Sequence, residues 1–331
     1  MDSLIAHSTS VRSLQLKDLL QDKARNAACS ITGTDLLLDY SHSLVTEETL
    51  SQLNDLAQST GLYSKIADMF AGNPINSTEN RAVLHTLLRA ADSPLPDFQE
   101  VQSVKSRLKA FASSVRAGEI KGVTGKPLTS VLCIGIGGSY LGPEFVAEAL
   151  RTDPVCKEAA SGRLLRFLAN VDPVDFLRVT EGLDPESTLA IIISKTFTTA
   201  ETMMNSRAVM NWLVSSISGH SKEDVVAAHM CAVSTNLQKT AEFGIQNERV
   251  FGFWDWVGGR FSVTSAVGLL PLYLQYGDSV DSFLQGAAHM DSDFLSKANP
   301  EHFRENIPLM MGMLGFWNTC LLYTSPSPRD S

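Results

Sequence analysis

Hydrophobic positions fall into two textures along the chain. Up to about residue 115 they recur with helical spacing, and from Ser130 they gather in short continuous runs. Leu50, Leu53 and Leu56 repeat with helical period behind Thr46, Glu47 and Glu48, and carboxylates in a first turn suit the positive end of a helix dipole. Val83, Leu84, Leu87 and Leu88 predict a second helix across 81–89. After Pro94 and Pro96 a third is predicted over 98–115. Beyond Ser130 the apolar runs cover 131–136, 164–169, 189–193, 230–234 and 249–253. Helical patterns at 142–150, 173–181 and 198–216 separate them. Buried strands alternating with helices predict an α/β fold: a doubly wound, five-stranded parallel sheet of flavodoxin-like type, preceded by a helical region over 1–115.

The 307–322 stretch is apolar but short for a membrane span, and it contains Pro308, Asn318 and Thr319. It predicts a helix. Leu309, Met310, Met313, Leu314, Phe316 and Trp317 nearly encircle that helix. The expectation is that a further part of the protein buries it, and that it stands exposed and adhesive in this chain. Residues 321–331 turn abruptly Ser/Pro-rich and read as a non-native tail.

The 331 residues carry a net charge of −9, with 44% hydrophobic and 19% charged residues, which suits a globular protein with an ample core. No basic run suggests a nucleic-acid surface. The five cysteines are far apart with no CxxC pair, and the seven histidines are scattered. No disulfide framework, metal site or cofactor is therefore expected. The first sixteen residues lack the apolar core of a secretory signal, and the reading is a cytoplasmic protein with no membrane partner.

Three segments fall at the carboxyl ends of predicted strands, where open parallel sheets bind ligands. Residues 135–142, GIGGSYLG, place glycines ahead of a helix, so backbone N–H groups can approach an anion closely. The spacing is not GxGxxG, which disfavours a dinucleotide. Residues 194–199, SKTFTT, offer four hydroxyls and the Lys195 ammonium at a helix start, a phosphate cradle. Thr198 with Glu201 also matches a capping box, which would explain the helix start without a ligand. Residues 255–266, DWVGGRFSVTSA, use Gly258 and Gly259 to present Arg260, whose fixed charge suits a developing oxyanion. An Arg260–Asp255 pair in a solvated loop is the plain alternative. His85, beside Leu84 and Leu88, reads as a packed histidine.

At these motifs the chain resembles the glucose-6-phosphate isomerase (phosphoglucose isomerase) family. GIGGSYLGP from Gly135, SKTFTT from Ser194 and FWDWVGGRFSVTSAVG from Phe253 carry the resemblance. INSTENRAVLHTLLR from Ile75 and KGVTGKPLTSV from Lys121 support it. The resemblance implies two sugar-isomerase domains, the first over 116–296 and the second beginning at 297–320. It also implies a homodimer and reversible interconversion of glucose 6-phosphate and fructose 6-phosphate through a cis-enediolate. Ser139, Ser194, Lys195, Thr196 and Thr199 would hold the phosphate of this sugar-phosphate partner, with Tyr140, Phe197 and Thr198 completing the binding loops. Gly138 would give close backbone approach, and Arg260 would stabilise the enediolate. The family's general base lies in a QGxxESNGK-type block, and no ESNG string occurs in these 331 residues. The chain is therefore expected to be inactive alone, a fragment of an isomerase. The alternative is a non-catalytic module that binds sugar phosphates.

Overall fold

The computed structural model describes residues 1–33 and 35–322, so the tail expectation from residue 323 on lies outside the described residues. The chain divides into two compact units. One comprises 1–82 with the described residues from 289 on, and the other comprises 83–288.

In the first unit, Thr46 caps the Glu47–Ser59 helix, its hydroxyl accepting from Thr49 N–H while the Thr49 hydroxyl reaches back. Short antiparallel strands β1 (Ser30–Thr32) and β2 (Leu37–Asp39) form a hairpin. Ile307–Phe316 is an α-helix that continues as a π-helical turn over Trp317–Leu322. Leu309, Met310, Met313, Leu314 and Trp317 are buried, contrary to the sequence expectation, while Met311 is exposed. Met310 and Trp317 are fully buried in one core with Leu4, Val11, Leu50 and Leu53. The Trp317 indole N–H donates to the Leu44 carbonyl at 2.9 Å. The N-terminal helices cover most of its apolar surface, leaving a strip with Met311, Gly312 and Gly315 exposed.

The 81–89 helix is also corrected. Asn76 and Arg81 form an antiparallel bridge, and only a 3₁₀ turn, His85–Leu88, follows.

The second unit is built on a parallel sheet of β3 (Ser130–Ile134), β4 (Leu164–Leu168), β5 (Thr188–Ile193), β6 (Met230–Val233) and β7 (Val250–Phe251). The order is β4-β3-β5-β6-β7, the doubly wound arrangement expected. Alternating side chains serve the two faces. Val131, Cys133, Leu189 and Ile191 pack toward the Phe98–Arg116 and Ala266–Tyr276 helices, which bring Leu108, Ala112 and Leu270. Leu132, Ile134, Ala190 and Ile192 pack toward the Ala200–Ser216 and Lys222–His229 helices, which bring Val209, Leu213 and Val225. Burial on both faces explains why these strands read as continuous apolar runs.

Candidate active site

The strand order reverses direction between β3 and β5, so the connections leaving their carboxyl ends diverge to opposite faces and leave a crevice. The GIGGS and SKTFTT segments begin there. Gly137 adopts φ +56°, a conformation open to glycine, and opens the 3₁₀ turn Gly137–Ser139. The Leu141–Leu150 helix follows with no side-chain cap. Among the described residues the Ser139 hydroxyl makes no hydrogen bond.

SKTFTT is held by a ladder from the next loop. Ser194 N–H donates to the Val233 carbonyl, and the Lys195 carbonyl accepts from Thr235 N–H and from the Ser234 and Thr235 hydroxyls. Asn236 Nδ2 donates to the Thr196 carbonyl at 3.2 Å. Phe197 sits at φ +55°, a left-handed conformation unusual for an aromatic residue and costly by about 1–3 kcal/mol. Its ring is buried and meets Phe243 edge-on at 5.8 Å. The ring anchors the loop in the core and leaves Thr196 and Thr198 exposed, their hydroxyls 2.6 Å apart.

The capping-box alternative is not realised. Thr199 is the N-cap of Ala200–Ser216, with no side-chain cap bond. The first N–H groups of this helix thus lack a protein acceptor, as an anion site requires. Thr202, in the same first turn, is buried with a hydroxyl that has no hydrogen-bond partner among the described residues. Thr202 was not anticipated from sequence, because a threonine inside a helix carries no signal there.

The arginine loop is fastened to the glycine loop by backbone contact. A Cβ on Gly138 would stand 2.7 Å from the Gly259 Cα, carbonyl carbon and oxygen. The Ser262 hydroxyl bonds the carbonyls of both Gly138 (3.2 Å) and Gly259 (2.7 Å). Phe261 stacks on His85 at 4.8 Å, so this histidine is packed, as expected. Arg260 is exposed and makes no ion pair among the described residues. Asp255 does not pair with it; Lys195 takes Asp255 instead, with Nζ 3.0 Å from its carbonyl and 3.4 Å from Oδ1.

Tyr140 points elsewhere. The neighbouring Glu144 carboxylate, together with burial, pushes the phenol pKa up to about 12, and the ring packs on Phe167 at 5.9 Å. Cavities of about 820 Å³ along β4 and about 830 Å³ behind Phe197 and Thr198 are not lined by Gly138, Ser139, Lys195 or Arg260. The three loops thus combine uncapped helix N–H groups, hydroxyls bonded only to one another or to none (Ser194 to Thr199 at 3.5 Å, Thr196 to Thr198), an ammonium and a guanidinium with no ion pair among the described residues. That arrangement can bind a phosphoryl group and stabilise a second negative charge.

The family profile described as phosphoglucose isomerase matches residues 39–326. The cytosolic glucose-6-phosphate isomerase of Zea mays is 49% identical over 327 residues, covering 97% of this chain and 56% of the relative. Cytosolic enzyme B of Oryza sativa subsp. japonica is also 49% identical, over 96% of this chain and 56% of its own length. Among solved structures, a glucose-6-phosphate isomerase from Chlamydia trachomatis matches with a TM-score of 0.79 at 28% identity, over 97% of this chain and 60% of that one. The chain therefore spans little more than half the length of the curated relatives it matches.

Proposed function

Because the chain belongs to the phosphoglucose isomerase family, we propose that its strand-end loops are the phosphate-holding part of an aldose–ketose isomerase active site. The substrates are glucose 6-phosphate and fructose 6-phosphate, interconverted through a cis-enediolate. The observation that carries this reading is the meeting of three anion-suited loops beside the β3/β5 switch point, with Arg260 left unpaired.

Ser139, Ser194, Thr196 and Thr199 supply hydroxyl donors to the phosphate, and Lys195 supplies charge. Gly138 allows the backbone to come close, and Phe197 holds the loop shape from behind. Thr198 flanks the cradle, whereas the Tyr140 ring turns away to Phe167. Arg260 stabilises the negative charge that grows on the substrate oxygen as the carbon-bound proton leaves. The residue that removes that proton is not recognisable in these 331 residues, which contain no ESNG string. This favours a second reading for the chain by itself: it binds sugar phosphates without turning them over. A homodimeric, cytosolic enzyme requiring no cofactor completes the proposal, in line with relatives whose names include the word cytosolic.

Calorimetric titration of the chain with glucose 6-phosphate and with glucose tests the site. Binding of the phosphate ester alone is expected. Thr196→Ala should weaken it by roughly ten- to a hundredfold, the loss of one hydrogen bond to a charged group. Equal affinity of parent and variant would remove the assignment.

A further inference from the structure

Lys195 brings the charge to the proposed phosphate cradle, and in the free protein that charge is already engaged. Its ammonium donates to the Asp255 main-chain carbonyl at 3.0 Å and lies 3.4 Å from the carboxylate. Asp255 belongs to the loop that carries Arg260, five residues further on, yet Arg260 forms no ion pair among the described residues. The loop thus gives its acid to the lysine and leaves its arginine open.

The segment holding Asp255 has a fixed shape. Trp254 and Trp256 stack with ring centroids 5.0 Å apart and planes 9° apart, and Val257 N–H closes a turn on the Trp254 carbonyl at 3.0 Å. The Asp255 side chain itself is 82% exposed. An ion pair this open contributes little to folding. Its charge acts instead on whatever approaches Lys195.

We propose that Asp255 limits the affinity of the phosphate site as its resident anion. It holds the Lys195 ammonium while the cradle is empty, and an arriving phosphoryl group must displace it. This rests on the reading of SKTFTT as the phosphate cradle. Two anions compete for one ammonium, and the ligand meets the repulsion of a fixed carboxylate at short range. Asp255 therefore lowers the affinity of the site for a phosphoryl group.

The test is calorimetric titration with inorganic phosphate of the wild-type chain, Asp255→Asn and Asp255→Glu, at low and at high salt. Asparagine keeps the size and polarity of the side chain and removes only the charge. Asp255→Asn should bind phosphate on the order of three- to tenfold more tightly than wild type at low salt, the difference shrinking as salt screens the carboxylate. Asp255→Glu should keep the wild-type affinity. If Asp255→Asn binds phosphate equally or more weakly, or gains independently of salt, the inference is overturned and the cradle stands. If Asp255→Glu gains as much as Asp255→Asn, the charge is not the cause and the inference again fails. If neither the wild-type chain nor Asp255→Asn binds phosphate, the cradle reading and this inference fall together.

Discussion

Gly138 and Gly259 meet backbone against backbone, with no room for a Cβ on Gly138. This contact, with the Ser262 hydroxyl bonded to the carbonyls of both glycines, ties the loop that carries Arg260 to the loop that carries Ser139. Gly138 thus does more than form a turn: it lets the two loops close to a distance that a side chain at this position would forbid.

Gly138→Ala should therefore separate the loops. Overpacking of this kind costs about 1–3 kcal/mol. Sugar-phosphate affinity measured by calorimetry should fall at least tenfold. Gly258→Ala is the control, since its Cβ would meet only Phe261 Cδ2 at an ordinary 3.6 Å and its φ is −73°. If both alanine variants bind like the parent, the loops are not fastened in this way.

Much of the second unit was legible because its local signals agree. Apolar runs bounded by glycines or hydroxyl residues placed all five strands to within a residue or two, and the binding loops followed at their ends. What stayed hidden was pairing between distant segments. Sequence pattern marked 307–322 as needing cover on all sides but not that Leu4, Val11 and Leu53 provide it. Lys195 and Asp255 lie sixty residues apart, and no spacing rule joins them. Phe197 looked like a ligand-side residue because it sits between threonines; only its left-handed φ and its contact with Phe243 turn it inward. The 81–89 segment has an apolar face of the right period, yet its residues are used for a bridge and a 3₁₀ turn.

The buried end of the first unit gives a stability prediction. Trp317 is fully buried, close to the His7 ring at 5.8 Å, and its indole N–H is bonded to Leu44. Trp317→Ala should cost about 3–5 kcal/mol. Truncation after Asn299 should unfold the first unit, because it removes Ile307, Met310, Met313 and Trp317 from its core. Thermal unfolding followed by circular dichroism checks both. A truncated chain that keeps the helicity of the first unit and gains solubility would reverse the conclusion.

His229 sets a pH response in the second unit. It is fully buried, donates from Nδ1 to the Thr188 carbonyl at 2.9 Å and accepts Val123 N–H on Nε2 at 2.9 Å. Burial lowers its pKa below the usual 6.5, so the folded chain keeps it neutral. Above pH 6.5 both folded and unfolded histidine are neutral and the contribution is complete. Below it the unfolded chain takes up a proton that the folded chain refuses. Stability then falls by up to about 1.4 kcal/mol per pH unit until the folded pKa is reached. Urea midpoints between pH 7.5 and 5.5 should decline for the parent and decline less for His229→Gln. Parallel curves would place the acid sensitivity elsewhere.

The chain of 331 residues should have no isomerase turnover by itself. Moving a proton between adjacent carbons needs a positioned base as well as a group that stabilises the enediolate. Arg260 can serve the second purpose. For the first, the carboxylates around the cradle are engaged or misplaced: Asp255 holds Lys195, Glu144 lies beside the Tyr140 phenol, and Glu201 is exposed on the first turn of a helix whose N–H groups face the proposed anion. A carboxylate beside a bound phosphate is repelled by it and poorly placed to approach the sugar carbons. Loss of general base help costs about 10²–10⁴-fold in rate. A coupled assay from fructose 6-phosphate to 6-phosphogluconate on the purified chain is the measurement. Background rates are expected even where calorimetry detects binding. Turnover of about 10 s⁻¹ or more, ordinary for an enzyme, would mean that one of these carboxylates moves into place when the sugar phosphate binds.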